Sequence, residues 1–125
     1  RAAAVKETIL LMVRDESQQP PSPFTAYWQV ETKHETKIVL TREVRVLVGR
    51  DLINQLIVND PEVSRKHAML VWDNRHWWVI DTESKNGVYL NHKQVIAAKL
   101  LPGLVFSIGS SQISEVRLGE DLQPK

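Results

Sequence analysis

Three short polar segments of this 125-residue sequence carry side chains suited to binding an anion. They are Gly49-Arg50, Ser64-Arg65-Lys66-His67 and Ser84-Lys85-Asn86-Gly87. Each lies between apolar runs, so we expect all three on loops. Guanidinium and hydroxyl donors bind phosphate oxygens through charge-assisted hydrogen bonds, and an asparagine amide can both donate to and accept from a peptide backbone. The segments therefore predict a site that binds an anionic ligand without transforming it.

Each segment also has a plainer interpretation when it is taken alone. Arg50 is then an exposed arginine at a strand end, His67 a half-buried histidine that holds its loop, and Asn86-Gly87 a hairpin turn. A catalytic alternative makes Ser64 a nucleophile, His67 its base and Asp81 the orienting carboxylate. Because the flanking glycines and oxyanion-binding backbone of a hydrolase are missing, we expect no enzyme and no catalytic residue here.

Composition limits the classes of function further. Sixteen Lys and Arg against fifteen Asp and Glu give a net charge of +1, which provides no global field for nucleic acid. Arg75-His76-Trp77-Trp78 mixes basic and aromatic residues, but strand alternation favours one tryptophan in the core and the other against a loop. Without cysteine or metal-ligand spacing, we expect no metal, no cofactor and a cytoplasmic location. No apolar run approaches the roughly 18 residues that span a membrane, so we expect no membrane insertion.

The elements that position the three segments are short strands. From residue 24 onward apolar and polar side chains alternate with period two, most clearly at residues 44–48. Further apolar runs, each ending in turn residues, occupy positions 56–58, 68–72, 77–80, 87–90, 105–108 and 113–118. We predict turns at Asp73-Asn74 and at Leu101-Pro102-Gly103. Many short strands without helices between them predict an all-β antiparallel sandwich or barrel.

The first 23 residues differ in character from the rest. Residues 2–19 are rich in helix formers and predict a short helix, with Val5, Ile9, Met12 and Val13 on its apolar face. The alternative prediction for this segment is a strand added to the sheet, since residues 9–13 form a continuous apolar run. The proline-rich stretch 19–23 interrupts regular structure. We divide the chain into an extension and linker (1–23), one domain (24–119) and a tail (120–125). Because the chain begins at Arg1, we expect a piece of a longer protein.

In order and spacing, the polar segments resemble the forkhead-associated (FHA) domain family over about residues 44–108. The matching elements are Gly49-Arg50, Leu56-Ile57-Val58 before Asp60, Ser64-Arg65-x-His67, Trp78-Val79-Ile80-Asp81, Ser84-x-Asn86-Gly87-Val88, Leu90-Asn91, and Leu101-x-Gly103 followed by Ile108-Gly109. The resemblance implies an eleven-stranded antiparallel β-sandwich without enzymatic activity. It also implies an adaptor module in signalling or scaffolding, whose partner is a phosphothreonine-containing protein or peptide.

The resemblance assigns roles to individual residues. The phosphate ligands would be Arg50, Ser64, Arg65 and Lys85. The peptide backbone would be bound by Asn86 and Ser84, while Gly49, His67 and Gly87 would be architectural. These implied roles agree with the chemistry of the residue types, because a phosphate dianion pairs with a bidentate cation and a hydroxyl donor.

Two alternatives remain open. In the first, the domain is a phosphate-independent interaction module that docks a partner or a second copy through a sandwich face or through residues 2–19, whose apolar run needs a cover. In the second, phosphorylated Thr8 occupies its own or a neighbour's site, because Thr8 with Leu11 three residues on resembles a ligand that the family accepts.

Overall fold

A computed structural model describes residues 25–116, which form eleven β-strands. The strands are β1 (Ala26–Glu31), β2 (Thr36–Thr41), β3 (Arg45–Gly49), β4 (Leu56–Ile57), β5 (Ala68–Trp72), β6 (Trp77–Asp81), β7 (Val88–Leu90), β8 (Lys93–Val95), β9 (Ala97–Leu100), β10 (Val105–Ile108) and β11 (Ser111–Val116). The helix predicted over residues 2–19, the proline-rich linker and the tail 120–125 lie outside the described residues. Within the described range no helix is long and apolar enough to cross a membrane.

The strands form the two sheets of a sandwich, which confirms the predicted all-β fold. The six-stranded sheet has the order β2-β1-β11-β10-β7-β8, and the five-stranded sheet has the order β4-β3-β5-β6-β9. In the described range, β3 and β4 form the one parallel pair, with Val48 opposite Leu56. This pair departs from the antiparallel expectation. The loop 50–55 carries the chain back along β3, so that β4 runs beside the last two residues of β3 in the same direction.

Alternate residues of each strand build the core between the sheets. Trp28 on β1 and Trp77 on β6 are fully buried and meet edge to face, with their ring centroids 4.9 Å apart. The indole Nε1 of Trp28 donates to Thr41 Oγ1 at 2.9 Å, so this buried polar group is satisfied. Trp78, the next residue along β6, points to the opposite face, as the period of a strand requires.

The predicted turn at Asp73-Asn74 joins β5 to β6. Asn74 has a φ of 81°, and Asp73 Oδ1 accepts the backbone N–H groups of Arg75 at 2.9 Å and His76 at 2.7 Å. Asp73 Oδ2 accepts from Trp78 Nε1 at 2.7 Å, which places one tryptophan of the pair against a loop as predicted. Burial raises the pKa of the Asp73 carboxyl, but these hydrogen bonds outweigh it and lower the pKa below its ordinary value.

The second predicted turn, Leu101-Pro102-Gly103, is also present and joins β9 to β10. Leu104 N donates to Leu101 O at 3.0 Å, and Gly103 has a φ of 82°. The strand bounds differ slightly from the apolar runs. β11 begins at Ser111, two residues before the apolar run 113–118, because Ser111 is buried by a hydrogen bond to Asp60 rather than by apolar contact.

Candidate functional site

The three polar segments lie together at one end of the sandwich. Gly49-Arg50 ends β3, residues 64–67 lead into β5, and residues 84–87 lead into β7. Arg50 N donates to Ser64 O at 3.0 Å, which joins the first segment to the second. Lys85 N donates to Ser64 Oγ at 3.0 Å, which joins the second to the third. These two bonds join residues that are 14 and 21 positions apart in the sequence.

Gly49 is required by the close approach of the first two segments. A Cβ at this position would lie 2.2 Å from Arg65 O and 2.9 Å from Asn54 Nδ2. Both distances are shorter than real Cβ contacts, and the first is to backbone. The predicted architectural role of Gly49 is therefore steric: any side chain here would push the second segment away from β3.

Asn54 is a buried residue of the site that the sequence does not reveal. Its Nδ2 donates to Asp51 O and to Arg65 O, each at 2.8 Å, while Asp51 N also donates to Arg65 O at 3.2 Å. These bonds hold the loop 50–55 against the second segment. In the sequence Asn54 is one polar residue among several in a loop, and no pattern separates it from its exposed neighbours.

Arg50 is an exposed residue directly after the end of β3. Its Nε donates to Val63 O at 2.9 Å, which fixes the side chain at the mouth of the loops. Among the described residues, no carboxylate lies within ion-pair distance of it. Arg50 is thus an exposed guanidinium held through Nε, and bidentate contact with an anion through the two terminal nitrogens is the use to which such a fork is suited.

Ser64 lies half-buried between the first and third segments. Its Oγ accepts the Lys85 N–H, so the hydroxyl hydrogen remains available as a donor. The side chains of Arg65, Lys66 and Lys85 are exposed around it. Together with Arg50 they place four cationic side chains on these loops, which also carry the exposed acids Asp51, Glu62 and Glu83.

His67 is fully buried and links the second segment to the third. Its Nδ1 accepts the Ser64 N–H at 3.0 Å, and its Nε2 lies 2.7 Å from Gly87 O. Because Nδ1 accepts, the ring proton belongs on Nε2, which donates to the Gly87 carbonyl. Both ring nitrogens are thus used by backbone, and Asp81 Oδ1 accepts from Ser84 N at 2.8 Å. This is not the geometry of a nucleophile, base and orienting acid.

The third segment is shaped by its own side chains. Ser84 Oγ accepts the Gly87 N–H at 2.9 Å, and Gly87 has a φ of 91°, a conformation that glycine adopts without strain. Asn86 is exposed, and its Nδ2 donates to Glu62 O at 2.8 Å. That bond orients the Asn86 side chain and leaves its Oδ1 free to accept a hydrogen bond. The Ser84 Oγ atom is an acceptor within the turn, and its hydroxyl hydrogen remains available for donation.

Asp60 is a second buried polar residue, which the family resemblance includes but to which the sequence assigns no role. Its Oδ1 accepts the Glu62 N–H at 2.8 Å, and its Oδ2 accepts from Ser110 N at 2.8 Å and Ser111 Oγ at 2.7 Å. The loop before the second segment is thereby attached to the turn between β10 and β11. Burial raises the pKa of Asp60, but these hydrogen bonds, aided by the charge of Lys33, bring the pKa below its ordinary value.

Comparison with known proteins agrees with this fold and site. The FHA domain model matches residues 46–109, which is more than half of the chain. The structure is a sandwich of eleven strands with three polar loops at one end. The chain belongs to the FHA domain family. A solved structure described as an analysis of phosphothreonine-dependent FHA domain interactions superposes with a TM-score of 0.66 and 27% identity, over 74% of this chain and 95% of that one.

Two curated relatives come from Mycobacterium tuberculosis. The ABC transporter ATP-binding/permease protein Rv1747 is 46% identical over 50 residues, which are 40% of this chain and 6% of the relative. The FHA domain-containing protein FhaB is 36% identical over 72 residues, which are 57% of this chain and 46% of the relative. The match therefore spans less than half the length of either curated relative.

Proposed function

We propose that this domain is a phosphothreonine-peptide-binding adaptor module that mediates phosphorylation-dependent protein interaction. The observation that carries the proposal is the convergence of the Arg50 fork and the Ser64 hydroxyl on one rigid end of the sandwich. A backbone hydrogen bond of 3.0 Å joins Arg50 N to Ser64 O. The Nδ1 atom of His67 accepts the Ser64 N–H and so holds Ser64 as well. The phosphothreonine-dependent interactions of the structurally similar FHA domains support the same ligand class.

Different residues would contact the phosphate group and the peptide backbone of the ligand. A phosphothreonine carries a charge of about −1.5 to −2 and three acceptor oxygens. Arg50 and Ser64 would donate to these oxygens, and the exposed Arg65 and Lys85 would add contacts or field. Asn86 Oδ1, oriented by the bond to Glu62 O, would accept a backbone N–H of the peptide next to the phosphate, with Ser84 flanking it.

We infer that the module binds its ligand without catalysis. The only imidazole beside Ser64 in the described part of the chain is that of His67, whose two ring nitrogens are occupied by backbone groups. We propose residues 24–119 as the functional unit within a longer, cytoplasmic signalling or scaffold protein, with residues 1–23 and 120–125 flanking it.

Titration of phosphothreonine peptides from an array tests the proposal. Arg50→Ala and Ser64→Ala should each weaken binding by about 1.5 to 3 kcal/mol, roughly 10- to 150-fold in Kd, because each removes a hydrogen bond to a charged group. Arg75→Ala is the matched control, since Arg75 is an exposed arginine on the β5–β6 turn. Equal binding by the wild-type chain and Arg50→Ala, or equal affinity for phosphorylated and unphosphorylated peptide, would overturn the proposal.

A further inference from the structure

The outward face of the five-stranded sheet carries a set of apolar side chains, here called the outer patch. Its members are Leu47, Met69, Val71, Trp78, Ile80 and Ala97. They alternate along their strands with the residues of the core, and the register of β5 and β6 places Met69 opposite Ile80 and Val71 opposite Trp78. The outer patch is therefore continuous across the middle of the sheet, on the side that faces away from the other sheet.

The outer patch is covered. Met69, Val71 and Ile80 are only 7%, 1% and 0% exposed. On the outward face of the six-stranded sheet, by contrast, Val105 of the central strand β10 is 40% exposed and Ile38 is 49% exposed. An apolar side chain on an uncovered face of this sandwich thus keeps close to half of its surface.

No strand or helix within residues 25–116 lies over the outer patch. Every described strand belongs to one of the two sheets, and the hydrophobic side chains packed against Met69, Val71 and Ile80 come from the same face. The described strands therefore do not account for this burial. Residues 117–125 contain two large apolar side chains, Leu118 and Leu122, whereas residues 5–13 contain Val5, Ile9, Leu10, Leu11, Met12 and Val13.

We propose that residues 5–13 dock on the outer patch of their own chain. The connection is long enough: the 11 residues between Val13 and Thr25 span up to about 40 Å when extended, against about 10 Å between packed sheets. The flanks of the apolar run carry both signs of charge, Lys6 with Glu7 and Arg14 with Asp15, so the docking relies on apolar contact. Docking would remove from water an apolar surface that would otherwise favour aggregation.

Paramagnetic broadening of methionine methyl signals tests this docking in the full 125-residue chain. Met12 and Met69 are its only methionines and it has no cysteine, so labelled methyl groups give two signals and a nitroxide can be attached at Lys6→Cys alone. We expect this label to broaden the Met69 signal. A label at Gln112→Cys, on the exposed face of the six-stranded sheet, is the control and should leave Met69 sharp.

Two further samples decide which copy of the chain provides the cover. Adding Ile9→Asp to the labelled chain should restore the Met69 signal, whereas Gln18→Asp, outside the docking residues, should not. Mixing chains that carry only the nitroxide with chains that carry only labelled methyl groups should cause no broadening. Broadening in the mixed sample would assign the patch to a second copy and overturn docking within one chain. A Met69 signal that stays sharp with Lys6→Cys, or broad with Ile9→Asp, would overturn it also.

Discussion

Replacing His67 with alanine should weaken both the fold and ligand binding, because one buried ring satisfies two backbone groups. His67→Ala leaves the Ser64 N–H and the Gly87 carbonyl without their partner. Each unsatisfied group costs about 1 to 2 kcal/mol, and the cavity left by the ring costs about 1 to 2 kcal/mol more. The free energy of unfolding should therefore fall by about 3 to 6 kcal/mol, a large part of the 5 to 15 kcal/mol typical of a domain.

One partial replacement separates the contribution of the ring nitrogen Nδ1 from that of Nε2. The amide oxygen of His67→Asn can take the place of Nδ1 and accept the Ser64 N–H, so this variant should lose about half as much stability as His67→Ala. Urea unfolding gives the stability of each variant, and titration with a phosphothreonine peptide gives its affinity. Where the variant remains folded, we expect His67→Ala to bind at least about 10-fold more weakly, since Ser64 is no longer held in place.

His34→Ala provides the control for the loss of an imidazole. His34 is exposed in the loop between β1 and β2, so its replacement should change the free energy of unfolding by no more than about 0.5 kcal/mol. If His67→Ala were as stable as His34→Ala, the two bonds to Ser64 and Gly87 would not be holding the loops, and the assigned architectural role would be wrong.

Three other substitutions follow from contacts described above. Gly49→Ala should destabilise the domain by about 1 to 3 kcal/mol in urea unfolding and weaken peptide binding, because its Cβ collides with Arg65 O. Thr41→Val should cost about 1 to 2 kcal/mol by the same measurement, since Trp28 Nε1 loses its buried acceptor. The lowered pKa of Asp60 means that the unfolded chain takes up the proton first as pH falls, so stability should decline from about pH 5 downward, and Asp60→Asn should flatten that decline. An unchanged unfolding free energy in either of the first two, or an equally steep acid decline in the third, would contradict the corresponding contact.

The strands that could be predicted from the sequence are those with a clear apolar period. β3, β5 and β6 are rich in Val, Ile, Leu and Trp. On each of these strands, one row of alternate side chains packs into the core. The apolar runs do not place β2, β8 or β9. β8 reads Lys-Gln-Val and is largely exposed, so its pairing with β7 comes from backbone hydrogen bonds that leave no apolar signature. The total of eleven strands followed from the family resemblance and is confirmed.

The exposed part of the site was easier to predict than its support. Arg50, Ser64 and Asn86 are conspicuous because cations, hydroxyls and amides beside turns have recognisable chemistry. Asn54 and Asp60 support the loops from within, and beside one near neighbour each they bond backbone groups and a serine hydroxyl 11 to 51 residues away in the sequence. Such partners come together only in the folded chain, so no local sequence pattern predicts these hydrogen bonds.

The antiparallel pairing of β1 with β11 has a mechanical consequence. Tyr27 is opposite Val116, so the first and last described residues leave from the same end of these two neighbouring strands. The three polar loops lie at the other end, where Ser110 in the turn before β11 contacts Asp60. A force that pulled residues 25 and 116 apart would load the hydrogen-bonded pairs one at a time, beginning at Tyr27 and Val116, and would unzip the sheet. Tension along the chain would therefore open the sandwich from the end opposite the three polar loops, and these loops would separate last.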